Sequence, residues 1–120
     1  MRVRAFRGAT QLSKDDSLEM KEAVTELLSE LFEKNGIIKS DLISILFTAT
    51  PDLVSDFPAA AARSLDLGDV PLMCAVEISV YGSLPRVVRV MAHAHSELSH
   101  AQAKHVYKRG AEALRRDIAQ

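Results

Sequence analysis

Arg7 and Arg89 are the residues whose type and position point most clearly to chemistry. Residues 3–7 alternate like a β-strand and place Arg7 on an otherwise apolar face. Residues 86–91 alternate in the same way around Arg89. A guanidinium keeps its charge at neutral pH, so an inward-facing arginine needs an anionic partner. That partner is either an internal carboxylate or a bound anionic ligand, and the two arginines alone leave both open.

Further charged side chains fall at or near the ends of predicted elements. Arg63 and Arg115 are of this kind, and Glu77 lies on a segment that is otherwise apolar. Such residues form structural ion pairs in many proteins and anion-binding sites in others. The residue types alone do not distinguish structural ion pairs from an anion-binding site.

Several other kinds of site are disfavoured by residue spacing. His93 and His95 share one strand face, but no third ligand stands at a diagnostic spacing, so we predict no metal site. Gly8 begins no glycine-rich phosphate loop. Cys74 is the only cysteine, which excludes an internal disulfide and suggests a packing role.

Composition narrows the class of protein. The chain has 120 residues, enough for one domain, and a net charge of −1, which disfavours nucleic-acid binding. No apolar run approaches the ~20 residues of a membrane span, and residues 1–10 show no signal-peptide pattern. We therefore expect a soluble cytoplasmic protein with neither a membrane nor a nucleic acid as partner.

The elements that must position these side chains begin with a strand over residues 2–7, ending at Gly8. A long helix follows, with Asp16 as its cap and Glu19 completing a capping box. Asn35-Gly36 ends this helix. Its apolar stripe comprises Met20, Val24, Leu27, Leu28, Leu31 and Phe32.

The remaining elements complete a β-α-β-α-β-β order. The pattern predicts strands over 42–48, 71–80 and 86–95, a short helix over 57–65 capped by Asp56, and a final turn over 112–115. The expected fold is α+β: one domain over 1–120, with a mixed four-stranded sheet, helices on one face and a flexible tail over about 110–120. The other sheet face would be bare and apolar, which favours oligomerisation.

A series of motifs appears along almost the whole chain in order. They are Arg4-Ala5-Phe6-Arg7-Gly8-Ala9-Thr10, Thr48-Ala49-Thr50-Pro51-Asp52-Leu53, Phe57-Pro58-Ala59 with Arg63, Val70-Pro71-Leu72, the strand from Cys74 to Glu77, Arg89-Val90-Met91, His105-Val106-Tyr107 and Leu114-Arg115. With this set, the chain resembles the small trimeric α+β class of chorismate mutase. The resemblance implies a homotrimer whose sheets pack into a pseudo-α/β barrel, with active sites between subunits.

That resemblance implies the Claisen rearrangement of chorismate to prephenate, on the route to phenylalanine and tyrosine, with no cofactor and no metal. Arg89 would point at the ether oxygen, and Arg7 would bind a substrate carboxylate. Glu77 would accept a hydrogen bond from the ring hydroxyl, and Tyr107 would contact the side-chain carboxylate.

The resemblance also implies a pocket wall and a closing tail. Cys74 would adjoin Arg89 and Glu77, and Leu114 with Arg115 would belong to a mobile tail that closes over the ligand. The wall would comprise Phe57, Ala59, Arg63, Leu72, Met73 and Cys74. Ala60 departs from the family pattern, where a lysine can stand, and Met73 replaces a small polar residue of some relatives.

Two alternatives remain open from the sequence. A trimeric enamine/imine deaminase shares this architecture and would also use an arginine for a substrate carboxylate. A trimeric sensor of anionic metabolites would bind its ligand without turnover. The pairings of Phe57-Pro58-Ala59 with Arg63 and of Glu77 with Arg89 favour the mutase.

Overall fold

Five β-strands and two α-helices make up residues 1–114, the part of the chain that the computed structural model describes. Short 3-10 turns lie at Lys39–Asp41, Arg63–Leu65 and Ala111–Leu114. The main elements are β1 (Arg2–Gln11), α1 (Ser17–Asn35), β2 (Leu42–Ala49), α2 (Pro58–Ala62), β3 (Leu72–Val76), β4 (Val87–Ser96) and β5 (Val106–Lys108).

The strands form one mixed sheet in the order β3-β2-β4-β1-β5. β4 pairs antiparallel with β1 and β2, whereas β3 and β5 lie parallel to β2 and β1 at the two edges. The prediction of an α+β fold with a mixed sheet is confirmed, but the count of four strands is wrong. The additional strand, β5, has three residues paired with Gly8, Ala9 and Thr10. So short a segment shows no periodicity, and only its pairing with β1 makes it a strand.

Helix α1 forms as its sequence predicts. Asp16 is the N-cap, and its Oδ2 accepts a hydrogen bond from the Glu19 backbone N–H at 2.9 Å. Gly36 ends the helix with a left-handed φ of 62°. The capping box is only half formed, because the Glu19 carboxylate accepts from the backbone N–H and the hydroxyl of Ser13 instead. The Ser13 N–H stabilises the charged carboxylate and lowers the pKa of Glu19.

The main core lies between α1 and the sheet. The apolar stripe of α1 packs against Phe6 of β1 and against Ile45 and Phe47 of β2. Burying one such aliphatic side chain contributes about 1.5–3 kcal/mol, so the stripe fixes the helix on this face. Its fully buried members are Met20, Val24, Leu27, Leu28 and Leu31. Helix α2 joins the same core through Ala61 and Ala62, so both α-helices cover one face, as predicted.

The opposite side of the sheet carries no α-helix, and we call it the open face. Alternation along β1 and β4 places Arg7 and Arg89 here, with side chains that are only half-buried. The inward orientation expected for both arginines is therefore wrong within one chain. The open face comprises Val3, Ala5, Arg7 and Ala9 of β1, Leu46 and Thr48 of β2, Met73 and Ala75 of β3, Arg89, Met91, His93 and His95 of β4, and Tyr107 of β5.

Three predicted boundaries change. β1 does not stop at Gly8, because pairing with β4 continues to Gln11. β3 ends at Val76 rather than at residue 80, and the segment beyond it is largely exposed. Helix α2 has Phe57 at its N-cap position, so the cap predicted at Asp56 is wrong, although the Asp56 carboxylate does accept from the Phe57 N–H at 2.8 Å.

The C-terminal part of the described chain packs against the open face. Ala111 is fully buried and lies in a small cluster with Ala9, Val87 and Tyr107, against which Leu114 also packs. The predicted flexible tail over 110–120 stays a prediction, since residues 115–120, Arg115 included, lie outside the described residues. Neither α1 nor α2 is long and apolar enough to cross a lipid bilayer.

Candidate active site

The strand register places four of the predicted site residues, Arg7, Met73, Arg89 and Tyr107, in two rows across the open face. One row runs from Tyr107 through Ala9, Arg89 and Thr48 to Ala75, one residue from each strand. The next row contains Arg7, Met91, Leu46 and Met73. Arg7 and Arg89 thus lie on adjacent strands in neighbouring rows, which brings two cations to one part of the face.

Arg89 forms an ion pair with Glu77. The Arg89 Nε atom lies 2.6 Å from Oε1 of Glu77. The direction of the Nε–H bond does not meet hydrogen-bond geometry, so the contact is an ion pair by distance and not a directed hydrogen bond. The Glu77 side chain is 15% exposed and that of Arg89 41%. The guanidinium therefore remains accessible while its carboxylate partner is nearly covered.

Glu77 is held in place from two directions. Its backbone N–H donates to the Ala49 carbonyl at 2.9 Å, which continues the pairing of β3 with β2 by one residue. The Thr48 hydroxyl donates to Glu77 Oε1 at 3.3 Å. Because Thr48 stands between Glu77 and Arg89 in the strand order, β2 sets the separation of the two charged groups.

Arg7 lines a cavity together with Arg89. No acidic side chain in residues 1–114 forms an ion pair with Arg7. The cavity has a volume of about 420 Å³, within the range of small-molecule sites. A guanidinium that is buried or half-buried and has no carboxylate partner is stabilised when an anion binds beside it. The cavity is lined by Arg7, Gly8, Leu46, Thr48, Arg89, Val90, Met91, His93 and Tyr107.

Tyr107 reaches this cavity from the sheet edge. It pairs with Ala9 in the parallel β1–β5 ladder, and its side chain is 4% exposed. The Arg7 backbone N–H donates to His105 Nδ1 at 3.0 Å, which also ties the chain just before β5 to β1. The structure thus brings together the predicted residues Arg7, Glu77, Arg89 and Tyr107.

The other predicted site residues divide between the two sides of the sheet. Met73 lies on the open face, and Leu114 packs beside Tyr107. Phe57, Ala59, Arg63, Leu72 and Cys74 lie on the side of α2 and the main core, or at its rim. Phe57, 69% exposed, lines a separate cavity of about 400 Å³ with Cys74. One chain therefore does not bring the whole predicted set to one place.

Cys74 does not adjoin Arg89 and Glu77 within the chain, and that expectation is wrong. Its Sγ accepts a hydrogen bond from the Ala59 N–H at 3.4 Å, and the side chain packs on the main core. Alternation of side chains along β3 puts Cys74 on the opposite face from Ala75, which shares the row of Arg89.

Sequence reasoning missed Thr48, Leu46 and His93 as lining residues. The sequence did contain an indication for Thr48, because a hydroxyl near the end of an apolar strand is a candidate site residue. His93 carried another, because it lies two steps of alternation beyond Arg89 on the same face. Leu46 carried none, because its position in the cavity depends on the register of β2 with β4.

The comparisons with known proteins agree with this geometry. Residues 3–118 match the family model described as Chorismate mutase type I. The chain belongs to the chorismate mutase type I family. No metal or nucleotide motif competes with that assignment, and no group of three or more potential metal ligands occurs in residues 1–114.

Individual relatives cover nearly the full chain. It is 43% identical to the chorismate mutase AroH of Thermus thermophilus, over 97% of this chain and 96% of that one. It is 35% identical to the chorismate mutase AroH of Bacillus subtilis (strain 168), over 99% and 94% of the two chains. The solved structure of a chorismate mutase from Clostridium thermocellum superposes with a TM-score of 0.89 at 44% identity, covering 92% of this chain and 98% of that one.

Proposed function

We propose that this chain converts chorismate to prephenate in a cleft whose polar wall is formed by Arg7, Glu77, Arg89 and Tyr107. The observation that carries the proposal is the pair Arg7 and Arg89, which line one cavity on the open face while Arg7 has no acidic partner in residues 1–114. Chorismate is a dianion, so the Arg7 guanidinium would provide a cationic partner for one of its carboxylates. The family match favours this activity over that of an enamine/imine deaminase.

Arg89 is proposed to act on the charge that develops during the reaction. As the C–O bond of the ether breaks, negative charge grows on the ether oxygen, and a fixed cation beside it stabilises the transition state more than the ground state. The Glu77 contact at 2.6 Å holds the guanidinium before substrate arrives. A million-fold acceleration would need about 8 kcal/mol of such differential stabilisation together with selection of the reactive conformer.

Glu77 is proposed to accept a hydrogen bond from the substrate ring hydroxyl. The rearrangement is pericyclic and moves no proton, so neither a general base nor a nucleophile is required. The Thr48 hydroxyl donates to the Glu77 carboxylate and the Arg89 guanidinium lies 2.6 Å from it, so both help to fix the position of this acceptor. Arg7 and Tyr107 would hold the substrate carboxylates.

We further propose a homotrimer in which each site is shared by two subunits. This proposal is supported by the positions of the predicted site residues. Some lie on the open face and others on the α2 side, so one chain does not bring them all together. The open face also leaves Val3, Leu46 and Met73 exposed, an apolar surface that a second sheet would cover. In this arrangement Phe57, Ala59 and Arg63 of one subunit approach the open face of another. A cytoplasmic location, which the lone Cys74 favours, belongs to the same proposal.

The direct test is the loss of chorismate absorbance with purified protein and without added metal. Turnover that disappears in Arg89→Ala, with the protein still folded by circular dichroism, supports the proposal. A matched control is Arg63→Ala, which removes an arginine of the α2 side and should weaken substrate capture more than the chemical step. Binding of chorismate without prephenate formation would contradict the proposal and favour the sensor.

A further inference from the structure

β5 is the least secured strand of the sheet, although it carries a proposed site residue. It has three residues, lies at the sheet edge and, within residues 1–114, pairs with β1 alone. Tyr107, its middle residue, is nevertheless almost completely buried on the open face. A three-residue parallel ladder is a weak restraint by itself, so other contacts must fix this segment.

Those contacts come from polar side chains of α1, and we call the set the β5 clamp. Asn35 donates from Nδ2 to the Lys104 carbonyl at 2.8 Å and accepts from the Lys104 N–H at 2.7 Å. Glu30 Oε1 accepts from Lys108 Nζ at 2.8 Å. Glu26 Oε1 accepts from Arg109 Nε at 3.1 Å. The clamp thus holds the chain before, within and immediately after β5.

Within the clamp, Glu30 and Lys108 act on the strand itself. Lys108 follows Tyr107 directly, so alternation directs their side chains to opposite faces. The hydrogen bond from Lys108 to Glu30 of α1 therefore opposes any rotation of β5, or its separation from β1, that would displace Tyr107. The two side chains are 27% and 31% exposed, less than in an ordinary surface pair. Their hydrogen bond lowers the pKa of Glu30 and raises the pKa of Lys108, so the contact stabilises both charged forms.

We propose that Glu30 and Lys108 are positioning residues that keep β5 seated on β1 and thereby hold Tyr107 in the substrate cleft. Neither touches the cavity that contains Arg7 and Arg89, so they act only through Tyr107. The kinetic consequence rests on the proposed function, whereas the seating of Tyr107 does not. This separation lets one experiment distinguish failure of the positioning role from failure of the mutase assignment.

The chain provides a direct optical readout of Tyr107. It contains two tyrosines and no tryptophan, and the other tyrosine, Tyr81, is fully exposed. In a Tyr81→Phe background, intrinsic fluorescence therefore reports Tyr107 alone. Acrylamide quenching then measures how well β5 covers this residue, with no requirement for substrate or turnover.

The decisive variant is Lys108→Met, which keeps the aliphatic stem and removes the charge. Its matched control is Lys34→Met, because Lys34 also pairs with Glu30, at 3.4 Å, but lies on α1 and not on β5. We expect Lys108→Met to raise the quenching constant of Tyr107 at least twofold. We also expect its KM for chorismate to rise by about fivefold, the factor that a favourable half-exposed ion pair can contribute. The kcat should change less, since Arg89 lies on β4 and Glu77 follows β3, both away from β5. Lys108→Arg should recover both measurements.

Lys34→Met should match its parent in both quenching and KM. If Lys108→Met fails to fold, Glu30→Gln provides the same comparison with less change in shape. Equal quenching and equal KM for Lys108→Met and Lys34→Met would overturn the proposal. A parent protein that does not turn over chorismate, but shows the expected difference in quenching, would overturn the mutase assignment and leave the positioning role supported.

Discussion

Arg89 and Glu77 form an ion pair across an intervening strand. Arg89 is on β4 and Glu77 follows β3, yet Nε and Oε1 are 2.6 Å apart because both side chains extend over Thr48 of β2. The register of three strands therefore sets the relative position of the two charges before any ligand binds. Such preorganisation is what electrostatic catalysis requires, since the site does not have to reorganise as charge develops.

Replacement of Arg89 should have the largest effect on catalysis. Removal of one preorganised donor typically costs about 10²–10³ in rate, and Arg89→Ala should lose at least this much kcat. Arg89→Lys should recover only part, because an ammonium on a flexible stem lacks the fixed planar fork. Steady-state kinetics with chorismate measure both variants, and sedimentation tests whether they have the same assembly state as the parent.

Replacement of Arg89 by citrulline isolates the role of charge. Citrulline keeps the shape and most donors of arginine but is neutral, so kcat should fall by about as much as for loss of a preorganised donor, 10²-fold or more. A citrulline variant that turns over as fast as the parent would contradict stabilisation by charge.

Glu77 should matter as a hydrogen-bond acceptor and not as a base. Glu77→Gln keeps an acceptor oxygen and should retain more activity than Glu77→Ala, by about the tenfold that one hydrogen bond to a polar group contributes. The solvent deuterium isotope effect on the chemical step should be close to one, because no proton is transferred. Equal rates in the two variants, or an isotope effect typical of general-base catalysis, would argue against this role.

A site shared between subunits predicts complementation between two defective variants. Arg89→Ala alters the open face, whereas Arg63→Ala alters the α2 side. If an equal mixture is unfolded and refolded together, about a quarter of the sites should combine an intact open face with an intact α2 side. The activity of the refolded mixture should then exceed the sum of the activities of the two separate variants. Absence of recovery, in mixed trimers isolated through an affinity tag on one of the two variants, would place each site within one chain.

Stability should depend on pH through Glu30 and Lys108. The lowered pKa of Glu30 means that its contribution is present above the unfolded pKa and is lost as pH falls through the folded one. The raised pKa of Lys108 keeps the pair intact until strongly alkaline pH. Denaturant unfolding at fixed protein concentration should show Lys108→Met less stable than its parent by about 0.5–1 kcal/mol at pH 7. That difference should shrink at pH 3, whereas a constant difference would mean that packing, not charge, is responsible.

The sequence alone determined the elements that local rules control. The α1 stripe from Met20 to Phe32, the cap at Asp16 and the stop at Gly36 all follow from spacing and backbone preference within a few residues. The strands around Arg7 and Arg89 are long enough for alternation to be visible, so both arginines could be singled out. The ordered motifs likewise pointed to the family without any coordinates.

Only the tertiary structure decided which sheet face each alternating set occupies. Alternation shows that Arg7 and Ala5 share a face, but burial of Phe6 against α1 is what leaves that face open. β5 exists because Val106–Lys108 pair with distant residues of β1, and the opposite orientations of Cys74 and Arg89 follow from the register of β2 with β3 and β4. Pairing between segments far apart in the chain depends on the whole core, and no local pattern encodes it.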